Sequence, residues 1–195
     1  LSGLPGSVAS EEELNRRISE KKAYSFIYLD LDRFKSYNDH YGFERGYSVI
    51  LFTARLLKKI LIKYGKEDDF LGHIGGDDYI IITANSCEEI ICNKVIRYFD
   101  RLIKTYYDPR DRKNGFVPGH DRNCQECEYP IVSISLAVVS GNNRKKTNMR
   151  TISEKAAQLK SYAKSIPGSN FVRDRRTESP LDPPLTEITN RKNSE

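Results

Sequence analysis

Two pairs of carboxylates stand where apolar, strand-like runs come to an end. Asp77 and Asp78 follow Gly75 and Gly76, with Phe70, Leu71 and Ile74 before them and Tyr79, Ile80, Ile81 and Ile82 after. Apolar residues, two glycines, two acids and further β-formers predict a hairpin with a tight turn. The glycines permit positive φ and let a ligand approach the backbone closely. Adjacent carboxylates at such a turn suit a hard divalent cation better than a folded core. A second pair, Asp30 and Asp32, ends the run Tyr24-Ser25-Phe26-Ile27-Tyr28-Leu29. Two acidic strand ends of this kind predict a metal-dependent phosphoryl-transfer site. Taken singly, each pair could also be an ordinary turn former.

The elements that must position these acids alternate between helix and strand. An amphipathic helix is expected over 11–21, a strand over 24–31, and a short helix over 33–41 that Gly42 ends. Residues 44–64 carry Val49, Phe52, Leu56, Ile60 and Tyr64 at helical spacing, a long helix with a buried stripe that Gly65 stops. After the hairpin at 70–84, Asn85 or Ser86 is expected to cap a helix reaching about Tyr107, with Glu88 and Glu89 in its first turn. Residues 108–129 are polar, rich in Pro, Gly, Asp and Arg, and too long for an ordinary connection, so an inserted loop is expected. Residues 130–139 set Val132, Ile134, Leu136 and Val138 against the small Ser133, Ser135 and Ala137, the mark of a central strand with one closely covered face. A helix at 151–165 and a strand at 170–173 follow, and residues 174–195, with three prolines and many charges, read as a disordered tail. The order β-α-α-β-β-α-β-α-β predicts a single α/β domain over 1–173, a sandwich with a central mixed five-stranded sheet flanked by helices.

The bulk composition narrows the function classes. A chain of 195 residues with 38% apolar and 30% charged residues can bury one substantial core. The net charge of +5 is spread in clusters such as Lys58-Lys59 and the basic residues of 144–150, which read mainly as solvated faces. A nucleoside triphosphate is the polyanion they would best suit, and no nucleic-acid partner is expected. No apolar run approaches the roughly 20 residues of a membrane span, so no direct membrane contact and a cytoplasmic location are expected of this domain, with a membrane anchor left open for the full-length protein. Met149 is the only methionine, which suggests a domain cut from a longer protein with an upstream sensor or regulatory part. Cys87 and Cys92 read as buried thiols. His120, Cys124 and Cys127 lack a fourth nearby zinc ligand and read as a reduced loop.

Four blocks of the sequence together resemble one family. Asp30-Leu31-Asp32-Arg33-Phe34-Lys35, then Asn38-Asp39 and Tyr41-Gly42, is similar to the D-(I/L)-D-x-F-K-x-x-N-D-x-x-G signature of GGDEF domains. Gly75-Gly76-Asp77-Asp78-Tyr79 is similar to the GG(D/E)EF motif, Leu1-Ser2-Gly3-Leu4-Pro5 to the L-T-G-L-P start, and Ala163-Lys164 to the late A-K. The resemblance implies a nucleotidyl-cyclase-like palm with a ferredoxin-like core, and diguanylate cyclase chemistry. Two GTP molecules, one per protomer of a homodimer, would condense to cyclic di-GMP with release of two pyrophosphates. The family pattern implies Mg2+ (or Mn2+) on Asp30, the backbone carbonyl of Leu31, and Asp77. Asp77 and Asp78 would be the catalytic acids, with Asp78 assisting metal binding or activation of the 3′-hydroxyl. Phe34 and Lys35 would lie in the turn that contacts the phosphates, Lys164 would reach the terminal phosphates, and Asn38 would bond the guanine edge. Read by itself, Asn38 fits a cap of its short helix equally well.

Several positions depart from the family pattern. Tyr47 stands where active members usually carry an Asp that reads guanine N1 and N2, and losing such an acceptor costs roughly 1–3 kcal/mol. The late Arg of A-K-x-x-G-R-N has no counterpart in Ala163-Lys164-Ser165-Ile166-Pro167-Gly168-Ser169-Asn170. Asp78 replaces the usual Glu, Tyr79 the usual Phe, and Lys66-Glu67-Asp68-Asp69 the R-x-x-D of the inhibitory product site. Lysine lacks the bidentate fork of arginine, so weak product feedback is expected there. These departures keep a second reading in view: a degenerate, catalytically weak or inactive GGDEF domain serving as a nucleotide-binding or dimerising regulatory module. A GGDD doublet also occurs in the palm polymerase of type III CRISPR effectors, which cyclise ATP, but the block from Asp30 to Gly42 argues against that relationship.

Overall fold

A computed structural model of the chain describes residues 2–120, 125–141, 149–174 and 187–188. Its centre is β1 (Tyr24–Asp32), which pairs antiparallel with β3 (Asp78–Thr83) on one side and β6 (Ser133–Gly141) on the other. β2 (Phe70–Gly75) lies antiparallel outside β3, and β7 (Asn170–Arg173) runs parallel to β6. The expected mixed five-stranded sheet is therefore present in the order β2-β3-β1-β6-β7. A two-residue β8 (Glu187–Ile188) adds to the outer edge of β7, inside the segment expected to be a tail. Except for Asp174 and β8, that segment lies outside the described residues.

The near-continuous apolar runs of β1, β3 and β6 follow from burial on both faces. With a side-chain period of two, Ile27, Leu29 and Leu31 of β1 face one layer, together with Tyr79, Ile81, Ile134, Leu136 and Val138. α2 (Phe34–Tyr41), α3 (Phe43–Tyr64) and α4 (Glu88–Ile103) cover that layer. Phe26, Ile80, Ile82, Ala137 and Val139 face the other, covered by α1 (Ser7–Ser19) and α6 (Met149–Ser165). The small residues of β6 and the buried Ala156 and Ala163 of α6 let that helix approach the sheet closely.

Two local expectations are corrected. Residues 108–129 are no simple loop: Pro109 opens α5 (Pro109–Asn114) and Gly115, at φ +82°, closes it. Proline at a helix start and glycine after its end read as loop punctuation in sequence but are helix boundaries in the structure. β4 (Phe116–His120) and β5 (Glu126–Pro130) then form a separate two-stranded sheet. Tertiary contacts hold this insertion down: the Tyr107 hydroxyl accepts from the Val132 amide at 2.9 Å, and Asp111 is engaged by Tyr41 and His40. In α4 the first cap is Cys87, with no side-chain bond, because Asn85 instead accepts from the Ser25 hydroxyl at 2.9 Å. The helix ends at Ile103, and a 3-10 turn, Lys104–Tyr106, continues it. Cys92 is buried and Cys87 half-buried, whereas Cys124 of the His120–Cys127 cluster lies outside the described residues.

Candidate active site

The acids meet because β1 and β3 are register-paired at their ends. Asp30 lies directly opposite Asp78 on one side and Ser135 of β6 on the other. Between β2 and β3 the chain turns through Gly75 at φ +139° and Gly76 at φ +55°, with a register shift after His73. A Cβ would meet nothing at either glycine, so backbone conformation, not space, requires them. His73, which the sequence reading missed, braces this turn. Its Nε2 lies 2.9 Å from the Gly76 carbonyl, which can only accept, so Nε2 carries the proton and Nδ1 can accept from the Ser2 hydroxyl at 2.8 Å. The imidazole stacks on Tyr79, whose hydroxyl donates to the Ile50 carbonyl at 2.8 Å. The Tyr of the GGDDY motif thus ties the hairpin to α3, a use its hydroxyl has and Phe lacks.

Asp30 is 3% exposed and has a cation at each oxygen. The Lys160 ammonium stands 2.6 Å from Oδ2, and the Lys164 ammonium 2.5 Å from Oδ1, the latter without hydrogen-bond alignment. Lys160 also donates to Asp78 Oδ1 at 2.8 Å and to the Tyr28 hydroxyl at 3.4 Å. Burial, followed by the hydrogen bond to Asp78, pushes the Asp30 carboxyl up to about 6 against the pull of the two lysines. At Asp78 burial also raises the pKa, but the bonds to Asp30 and Lys160 outweigh it and hold the group below the usual carboxylate range. Burial would lower Lys160, yet the same two carboxylates hold it above the usual lysine value. Asp30 is the more deeply buried partner, which is why desolvation wins there and pairing wins at the lysine. Asp77 is raised by burial, reinforced by the charge of Asp78. Asp32 instead accepts from the Ser133 and Ser135 hydroxyls at 2.6 and 2.8 Å, a structural role at the strand end.

Among the described residues no group of three or more His, Cys, Asp or Glu side chains forms a cage for a metal ion. Mg2+ needs none, since it is usually held by one or two carboxylates plus waters and substrate phosphates. The oxygen-only donors, and a buried Asp30 oxygen with no aligned hydrogen bond, fit such a cation.

Next to the acids, Arg33 adopts a left-handed conformation at φ +60° and leaves the first turn of α2 without a side-chain cap. The Phe34 side chain belongs to the core, so this residue offers the site only its backbone amide, whereas Lys35 is exposed. The Asn38 carboxamide does not cap its helix. Gly42 closes α2 through its own amide, which bonds the Asn38 carbonyl at 2.8 Å. Asn38 Oδ1 is a buried acceptor with no hydrogen-bond partner, and it lies against Gly46 of α3, where a Cβ would stand 1.7 Å away. Tyr47, one residue on, is 41% exposed. Where the family's late Arg is absent, Ser169 bonds Asp100, and Asn170 Nδ2 ties the loop to the Ala163 and Gly168 carbonyls at 3.0 Å each. In the segment matching the product site, Asp69 accepts from the Lys66 amide and Asp68 pairs with buried Arg17.

The family described as "Diguanylate cyclase, GGDEF domain" matches residues 1–115, more than half of the chain. The chain belongs to this family. A diguanylate cyclase of Vibrio cholerae serotype O1 is 32% identical over 66 residues, 34% of this chain and 19% of that protein. The cyclic di-GMP phosphodiesterase PdeR of Escherichia coli is 27% identical over 107 residues, 52% of this chain and 15% of that protein. The chain thus spans a fifth or less of the length of these relatives. The crystal structure of the GGDEF domain of YfiN (TpbB) from Pseudomonas aeruginosa superposes with a TM-score of 0.60 at 18% identity, covering 85% of this chain and 92% of that one. That likeness shows the GGDEF fold. No helix among the described residues is long and apolar enough to cross a membrane.

Proposed function

We propose that this GGDEF domain is a diguanylate cyclase that condenses two GTP into cyclic di-GMP. The observation that carries the reading is the register pairing of buried Asp30 with Asp78 beside the Gly75-Gly76-Asp77 turn, with Lys164 facing the same carboxylate. Asp30, the Leu31 carbonyl and Asp77 would hold Mg2+ (or Mn2+). Bound there, the ion supplies Lewis-acid stabilisation of charge on the phosphates during in-line displacement. The amides of Phe34 and Lys35, at the uncapped start of α2, bind phosphate oxygens together with the Lys35 ammonium. Lys164, with one carboxylate partner and a partly exposed stem, swings to the terminal phosphates as a point charge. Asn38 Oδ1 accepts from the guanine edge beside Gly46. Asp78, held ionised, accepts from the attacking 3′-hydroxyl. Each protomer of a homodimer brings one GTP, and the 3′-oxygen of one attacks the α-phosphorus of the other as pyrophosphate leaves. A GTP substrate supports a cytoplasmic location for the domain. The greater length of the relatives supports control by a regulatory part elsewhere in the protein.

The second reading, a regulatory module without catalysis, is favoured by Tyr47, by Ser169 in the late loop, and by the lysines on both Asp30 oxygens. Dimeric protein incubated with GTP and Mg2+, beside Asp77→Ala, separates the two. Cyclic di-GMP from the parent and none from the variant establishes the cyclase. A dimer that binds GTP and makes no product refutes it and leaves the module.

A further inference from the structure

Lys160 is a residue that the site's expected chemistry does not use. It lies one helical turn before Lys164 on α6, so the two ammonium groups share a face, an arrangement that repels in an isolated helix. Here Asp30 separates them, with one lysine at each carboxylate oxygen. The two lysines are not equivalent. Lys164 has one carboxylate partner and a side chain 40% exposed; Lys160 is 23% exposed and bridges Asp30 and Asp78. Its ammonium also lies 4.5 Å above the Tyr28 ring and reaches the Tyr28 hydroxyl. A positive charge fixed between two carboxylates by an aromatic face is already where a cation would go.

We propose that Lys160, anchored on Asp78, is a built-in cation of the acidic cluster that competes with a divalent metal ion for Asp30. The inference rests on the metal role of Asp30 and Asp77 proposed above. Three carboxylates with two ammonium groups nearly balance, so a bare metal ion gains little by entering. A metal ion arriving with a triphosphate brings the negative charge that draws Lys164 away and leaves Asp30 open on that side. Lys160 therefore raises the threshold for metal alone and makes metal binding depend on the nucleotide.

The test is a Mn2+ titration of the nucleotide-free protein, with free Mn2+ read by electron paramagnetic resonance. Lys160→Met keeps the length of the stem and removes the charge; it is expected to bind Mn2+ at least about tenfold more tightly, while Lys160→Arg stays close to the parent. Equal or weaker binding by Lys160→Met overturns the inference and leaves the cyclase reading intact, provided Asp77→Ala still abolishes binding. Absence of Mn2+ binding by every variant, even with GTP present, overturns both. Should Lys160→Met fail to fold, side-chain nitrogen resonances of lysine in the parent protein decide instead. The Lys160 signal, assigned by its loss in Lys160→Arg, must shift when Mg2+ and GTP are added together; an unchanged signal at saturation overturns the inference.

Discussion

Replacing Gly46 by alanine separates stability from recognition at the base pocket. Gly46 is buried in α3, and a Cβ there would stand 1.7 Å from Asn38 Oδ1, 2.9 Å from Asn38 Cγ and 3.4 Å from Phe34 Cζ. The ring contact is tolerable, so the strain falls on the end of one flexible side chain, and the Asn38 carboxamide must rotate away. Alanine in place of glycine within a helix gains roughly 1 kcal/mol. Holding Asn38 off its preferred rotamer costs about 0.5–1.5 kcal/mol, so the melting temperature is expected to move little. Binding is different, because the acceptor has left the pocket and a guanine donor goes unpaired. That loss is worth about 1–3 kcal/mol, or roughly a 5- to 150-fold weaker GTP affinity. Calorimetric titration with GTP, paired with thermal melts, measures both quantities. Asn38→Ala and the double variant complete the cycle, and the double variant should bind no worse than Asn38→Ala. Parent-like affinity in Gly46→Ala, or a further loss on adding it to Asn38→Ala, would refute the role given to this acceptor.

Other outcomes can be checked independently. Asp77→Ala should abolish cyclic di-GMP formation while leaving the melting temperature within a few degrees, because Asp77 is a half-buried turn residue; retained turnover removes it from the site. His73→Phe keeps the ring stacked on Tyr79 but removes the bonds to the Gly76 carbonyl and Ser2, and should cost about 1–3 kcal/mol in urea unfolding. Tyr47→Asp introduces an acidic acceptor one residue after Gly46 and should raise the preference for GTP over ATP by about tenfold or more, read from competition binding. Ile81→Ala, at a fully buried position between β2 and β1, should destabilise by about 2–5 kcal/mol.

The helix and strand order was legible because each element carries its own period. The apolar stripe of α3 and the large-small alternation of β6 report which faces are covered, whatever covers them. The insertion at 108–129 was not legible. α5 is only six residues long, its Asp111 is held by Tyr41 and His40 from about 70 residues away, and the bond from the Val132 amide to the Tyr107 hydroxyl ties together the chain on either side of the insertion. The capping of α4 escaped for a related reason: Asn85, a good cap by type, is taken by Ser25 from 60 residues away.

Residue type and spacing by themselves determined that Asp30 stands near the end of a strand, that Asp77 and Asp78 lie at the turn of a hairpin shaped by glycines, and that Lys164 lies on a late helix. These are local facts, fixed by backbone preference and side-chain chemistry. Only the tertiary structure decided that Asp30 sits across from Asp78, that His73 locks the turn carrying Asp77, and that Asn38 has Gly46 as its wall. It also decided that Lys160, an unremarkable helix lysine in sequence, lies between two of the acids. Pairing register and the packing of α6 on the sheet bring charges together over more than 80 residues of chain. No local preference encodes such a distance; the burial that closes it is a property of the whole fold.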